Sequence, residues 1–171
     1  MTVRFSFPGD TPPASAQRGA APVGVLHELP PVELAAIVYL RAWCEGGQDR
    51  AMIAKDFRLV MGDAAAADVI EDFDLLMTTL LGGARRPVMR HAMGCKCFGG
   101  DESAFANLIA AAAGRDSEDA LLFAGTLASS RYAWDVVQVA LRLGQVFLRL
   151  ARLPLGPDAP THNPEQTFYK H

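Results

Sequence analysis

Between Pro30 and Leu153 apolar residues return every three or four positions, and prolines, glycines and acidic residues interrupt that rhythm. The first periodic run, "PPVELAAIVYLRAWCEGG", predicts a helix with prolines in its first turn and Gly46 and Gly47 at its end. A second run, "DRAMIAKDFRLVMG", places Ile53, Phe57, Val60 and Met61 on one face, with Asp49 as its expected cap and Gly62 as its stop. Asp63 is expected to cap a third, "DAAAADVIEDFDLLMTTLLGG", whose apolar face includes Val69, Phe73, Leu76 and Leu80.

The order then recurs. Asp101 and Glu102 suit the positive end of a helix through "SAFANLIAAAAG". Asp116 and Asp119 resemble a capping box before "SEDALLFAGTLA", and Ser129 or Ser130 opens the last helix, "RYAWDVVQVALRLGQVFLRLARLP". On that last helix Arg131, Asp135, Gln138, Arg142, Gln145, Arg149 and Arg152 form one narrow polar stripe, and the rest is apolar or small. So wide an apolar surface belongs either to the central helix of a bundle or to a dimer seam. Ala133, Ala140 and Gly144 leave room for a close helix crossing.

The fold class expected is therefore all-α, a compact bundle of about six helices. "DVIEDFDLLMTTLLGGARRP" (68–87) lies over "DVVQVALRLGQVFLRLARLP" (135–154) without a gap, Asp, Val, Leu, Leu, Ala, Arg and Pro matching. Two duplicated three-helix halves would explain this. Chance matching among Leu, Ala and Arg is the rival. The expected organisation is an extended or mobile arm over 1–28, a single helical domain over 29–154 and an irregular tail over 155–171. Within the domain the halves are 29–87 and 101–154, joined by a linker over 88–100.

Composition agrees with helices. Half of the 171 residues are hydrophobic but only 8% are aromatic, and alanine and leucine outnumber the β-branched types. A net charge of -3 gives no global attraction to nucleic acid or an anionic membrane, and neither is expected as a partner. The N-terminus lacks the apolar core of a signal peptide, and no later run reaches the roughly 18 apolar residues of a membrane span. We expect a cytoplasmic protein, and its three cysteines to be thiols or metal ligands.

The candidate chemistry sits in the linker, "RPVMRHAMGCKCFGGDE" (86–102). Cys95 and Cys97 can aim both sulfurs the same way, His91 is near enough in sequence to join them, and flanking glycines let the backbone fold around an ion. Zinc at His91, Cys95 and Cys97 is the cofactor expected. Its fourth ligand would be His27, Cys44, Asp101 or Glu102, a group from a second subunit, or water. Redox chemistry is the alternative: Lys96 and a nearby helix start could stabilise a thiolate. A bridge across one residue closes a small, strained ring, so Cys95 and Cys97 do not pair easily. The plain alternative is two partly buried thiols in an interhelical connection.

Other clusters read as surface. Asp68, Glu71, Asp72 and Asp74 lack the Glu-x-x-His pairs of di-iron bundles. No nucleophile elbow, phosphate loop or H-E-x-x-H is present. His162 and His171 read as tail residues, and the arginines of the last helix as a solvated stripe. The function expected is a non-enzymatic interaction or regulatory protein, homodimeric, with a possible protein partner and a structural or sensing zinc. The alternatives are a small metal- or thiol-dependent enzyme using the same segment, and an apolar small-molecule binder.

Overall fold

A computed structural model of the chain describes residues 18–153. The expected tail, with His162 and His171, and most of the expected arm lie outside the described residues. A strand β1 (Pro22–Val25) and a 3-10 turn (Leu26–Glu28) lead into α1 (Pro31–Glu45), α2 (Gly47–Met61) and α3 (Asp63–Gly82). A short strand β2 (Cys97–Gly99) then precedes α4 (Gly100–Ala113), α5 (Ser117–Leu127) and α6 (Ser130–Leu150). The architecture is an all-α bundle with one two-stranded antiparallel ribbon, β1–β2.

Most helix boundaries follow the punctuation in the sequence. Pro31 occupies the first turn of α1, where its missing N–H costs nothing. Gly62 alone separates α2 from α3, at φ 77°, a left-handed conformation that would strain any residue carrying a Cβ. Two expected caps move. Gly46 and Gly62 hold the cap positions of α2 and α3, so Asp49 and Asp63 lie inside the first turns, where their charge still meets the positive helix end. Asp116 does cap α5, accepting a 3.0 Å bond from the Asp119 N–H.

Helix α6 is the central element. It packs against α1, α2, α3, α4 and α5, burying Val136, Val137, Ala140, Leu143, Phe147 and Leu150. Its expected polar stripe is exposed throughout, from Arg131 to Arg152. The small residue Gly144 faces α4: its Cα lies so close that an added Cβ would meet the Ala112 carbonyl carbon at 2.7 Å. The close crossing is thus made within the chain.

Four rings from four helices meet in the middle of the core. Tyr39, Phe57, Phe73 and Phe147 have centroid separations of 5.5–6.0 Å, Phe57–Phe73 and Tyr39–Phe147 edge to face. Such pairs add about 0.5–1.5 kcal/mol each beyond area burial. The Tyr39 hydroxyl donates to Asp56 at 2.8 Å, which satisfies the one polar atom of the cluster.

The order strand, helix, helix, helix occurs twice, and the similar stretches of sequence form α3 and α6, which pack together. The two strands pair with each other. Val25 lies opposite Cys97, Gly24 opposite Phe98 and Pro22 opposite Gly99, with an irregularity between Pro22 and Gly24. Leu26 N–H extends the pairing by donating to the Lys96 carbonyl at 2.8 Å. The end of the expected arm is therefore a strap across the cysteine segment.

Candidate functional site

The segment between α3 and β2 is built around one buried side chain, Arg41. It lies on α1, 1% exposed, among Ile37, Leu40 and Ala42, a position that ordinarily excludes an unpaired charge. Its guanidinium is satisfied in full. Nε donates to Glu102 Oε1 at 2.6 Å and Nη2 to Glu102 Oε2 at 3.1 Å. Nη1 donates to the carbonyls of Ala92 and Cys95 at 3.1 and 2.7 Å, and Nη2 to that of Cys97 at 2.7 Å. The planar fork fixes three carbonyls and a carboxylate at once, which a lysine cannot do.

Glu102, 0% exposed, is the matching acceptor. Besides Arg41 it accepts from His91 N–H at 3.1 Å, from the His91 imidazole at Nδ1 at 2.8 Å, and from Gly99 N–H at 2.9 Å. The last is the carboxylate half of a capping box at the start of α4. Burial raises the pKa of this carboxyl, but the bonds from Arg41, His91 and Gly99 outweigh it and hold the group below the ordinary carboxylate range. Asp101 has a parallel role. It accepts two bonds from Arg86, at 2.6 and 2.7 Å, and one from Met89 N–H at 2.8 Å. Gly99 has no room for a side chain, since a Cβ would stand 2.6 Å from the Gly19 carbonyl oxygen.

On this frame the two cysteines come together. Cys95 Sγ and Cys97 Sγ are 2.8 Å apart, both partly exposed, with no disulfide between them. They are not equivalent. The bond between the two sulfurs and one from the Cys97 N–H lower the pKa of Cys95, with a smaller contribution from the Arg41 charge. Cys97 is raised, because its proton is held by Cys95 and because a second thiolate would face the first. Of the two, Cys95 is therefore the thiol that gives up its proton more readily.

The other candidate residues go elsewhere. His91 is drawn to Glu102, and among the described residues no group of three or more His, Cys, Asp or Glu side chains is arranged to hold a metal ion. The fourth-ligand candidates separate likewise. His27 is exposed on the 3-10 turn, Asp101 and Glu102 are committed to Arg86 and Arg41, and Cys44 lies beside Arg90 on α1 with its pKa raised by burial. A cleft of about 220 Å³ lined by Trp43, Arg50, Ile53, Ile70, Phe73 and Asp74 is smaller than most small-molecule sites.

Sequence reasoning missed Arg41 and gave Asp101 and Glu102 to the helix end or to a metal, not to buried arginine pairing. The available signal was that Arg41 follows Ile37 by one turn on an apolar face. Fold and site together define an all-α bundle carrying a Cys-x-Cys dithiol on an arginine-held loop. No protein-family model, no curated protein and no solved structure matches the chain. Among the described residues no helix is long and apolar enough to cross a membrane.

Proposed function

We propose that this is a regulatory helical protein whose working part is a thiol–disulfide switch at Cys95 and Cys97. The observation that carries the reading is the 2.8 Å approach of two partly exposed sulfurs. The Cys95 thiolate attacks one sulfur of a small-molecule disulfide, forming a mixed disulfide and releasing the first thiolate. The Cys97 thiol then loses its proton to solvent and attacks the Cys95 sulfur, releasing the second. Two protein thiols are oxidised and one disulfide is reduced to two thiols.

Ring strain argues for a transient bond. A bridge across one residue departs from relaxed disulfide geometry and is easily reduced, which suits a switch and not a staple. The absence of Cys-x-x-C on a strand–helix turn separates it from common disulfide oxidoreductases, which supports a regulatory over an enzymatic role.

The test is exposure of the reduced full-length protein to oxidised glutathione, followed by mass spectrometry of its peptides. An internal Cys95–Cys97 disulfide is expected, with Cys97→Ser arrested at a glutathione adduct on Cys95. An adduct confined to Cys44, or a Cys97→Ser protein oxidised like the natural one, would overturn the reading.

A further inference from the structure

We infer that the reduced Cys95–Cys97 pair binds a soft, monovalent cation that accepts two sulfur ligands, with the chemistry of copper(I). The inference rests on the reading of this pair as an accessible working dithiol. It goes further by naming the ion that the dithiol takes.

The donor set decides the class of ion. Two sulfurs converge at 2.8 Å, and many of the oxygen atoms around them already accept from protein donors. Both oxygens of Glu102 accept from Arg41, His91 and Gly99, and both of Asp101 from Arg86. The carbonyls of Ala92, Cys95 and Cys97 accept from Arg41, and that of Lys96 from Leu26. A hard cation that used these oxygens would have to displace the donors that hold them. Zinc in a structural site would need two further ligands. Copper(I) is matched to thiolates by softness.

The frame permits the small movement required. Arg41 grips the backbone carbonyls and leaves both cysteine side chains to rotate, so the sulfurs can open around an ion while the loop stays fixed. No sulfur–sulfur bond forms, and the strain of the small ring does not arise. On binding, the ion leaves its previous ligands, two copper–sulfur bonds form, the thiol protons pass to water, and no electrons are exchanged. Two thiolates and one monovalent ion leave a single negative charge, near the Arg41 guanidinium that already acts on both sulfurs.

The experiment is anaerobic titration of the reduced, tag-free full chain with copper(I) held by bicinchoninate, whose colour fades as protein removes the metal. About one copper per chain is expected to transfer, with thiolate-to-copper absorption in the ultraviolet. Cys44→Ser should bind as the natural protein does, while Cys95→Ser and Cys97→Ser should each lose the transfer with helical circular dichroism unchanged. No transfer, transfer that survives both Cys95→Ser and Cys97→Ser, or zinc displacing the bound copper would overturn the inference. If the protein forms the internal disulfide with glutathione yet takes no copper, the ion assignment falls and the switch stands. If it does neither, both fall.

Discussion

Replacing Arg41 by methionine tests the frame beneath the dithiol. Methionine keeps much of the side-chain volume, so the cost comes from charge and hydrogen bonds and not from a cavity. Arg41 and Glu102 are 1% and 0% exposed, and removing one member of such a buried pair costs about 3–5 kcal/mol. For a domain of this size that is a fall in Tm of about 6–20 °C. The Cys95 and Cys97 carbonyls lose their Arg41 donor as well, while that of Ala92 keeps the Cys95 N–H at 3.0 Å, and the segment can open to water and limit the added cost. Chemical denaturation at neutral pH measures the total.

The double replacement, Arg41→Met with Glu102→Leu, is the sharper comparison. If the pair were only a buried salt bridge, replacing both charges would recover most of the lost stability. Here it leaves the Cys95 and Cys97 carbonyls, His91 N–H and Gly99 N–H without the partners they had, so the double variant should remain destabilised by several kcal/mol, about one for each backbone group. A double variant within about 1 kcal/mol of the natural protein would refute the argument. Acid gives a second signature. The folded-state pKa of Glu102 is depressed, so its contribution is complete above the unfolded value of about 4.3 and is lost as pH falls through the folded value. In Arg41→Met the carboxyl loses the Arg41 bond and charge that lower it, so its folded-state value rises from its depressed position and less stability is lost on acidification, narrowing the gap to the natural protein as pH falls.

Alkylation should label Cys95 first, with a half-maximal rate below the usual thiol pKa, and Cys44 last, because burial raises it; peptide mapping after short exposure to iodoacetamide would expose a reversed order. In glutathione buffers Arg41→Lys should shift the Cys95–Cys97 pair toward the disulfide, since the guanidinium holds the loop backbone and favours the thiolate; an unchanged ratio would remove Arg41 from the switch. Gly144→Ala should destabilise by about 1–3 kcal/mol, although alanine is the better helix former, because its Cβ would lie 2.8 Å from the Ala113 Cα; a stabilised variant on urea denaturation would show that α4 and α6 can part cheaply. Arg142→Ala, by contrast, should cost only about 0.2–1 kcal/mol: its bidentate contact with Asp72 joins α6 to α3 at the surface, and a larger loss would contradict that reading.

The helices were legible because their information is local. Periodicity marks the buried face, and Gly46, Gly62 and Pro31 mark ends through backbone geometry that few other residues allow. The caps Asp49 and Asp63 were misplaced by three residues and one residue because the preceding glycines, Gly46 and Gly62, take the cap position themselves. The strap was not legible as a strand. "PVGV" has neither the length nor the alternation of one, and its partner Cys97–Gly99 lies far along the chain. The dithiol stood out in a glycine-rich stretch, yet Arg41 did not. Four residues before Glu45 it has the spacing of a surface ion pair, whereas Glu45 faces Arg90 at 3.7 Å and Arg41 turns inward to a carboxylate in the other half.

That inward turn links the fold to the proposed chemistry. Arg41 comes from the first helix of one half, Glu102 from the first helix of the other, and the cysteines from the segment between them. The backbone on either side of Lys96 is held by Arg41 through the Cys95 and Cys97 carbonyls and by the strap through Leu26 N–H. A disulfide across this one residue must move peptide units that carry those bonds. The two halves therefore oppose closure of the ring, while an ion embraced by rotating side chains leaves every one of those bonds in place. The same three backbone contacts make the oxidised form costly and the metal-bound form compatible with the folded loop, which is why oxidation and metal capture should respond in opposite directions when Arg41 is removed.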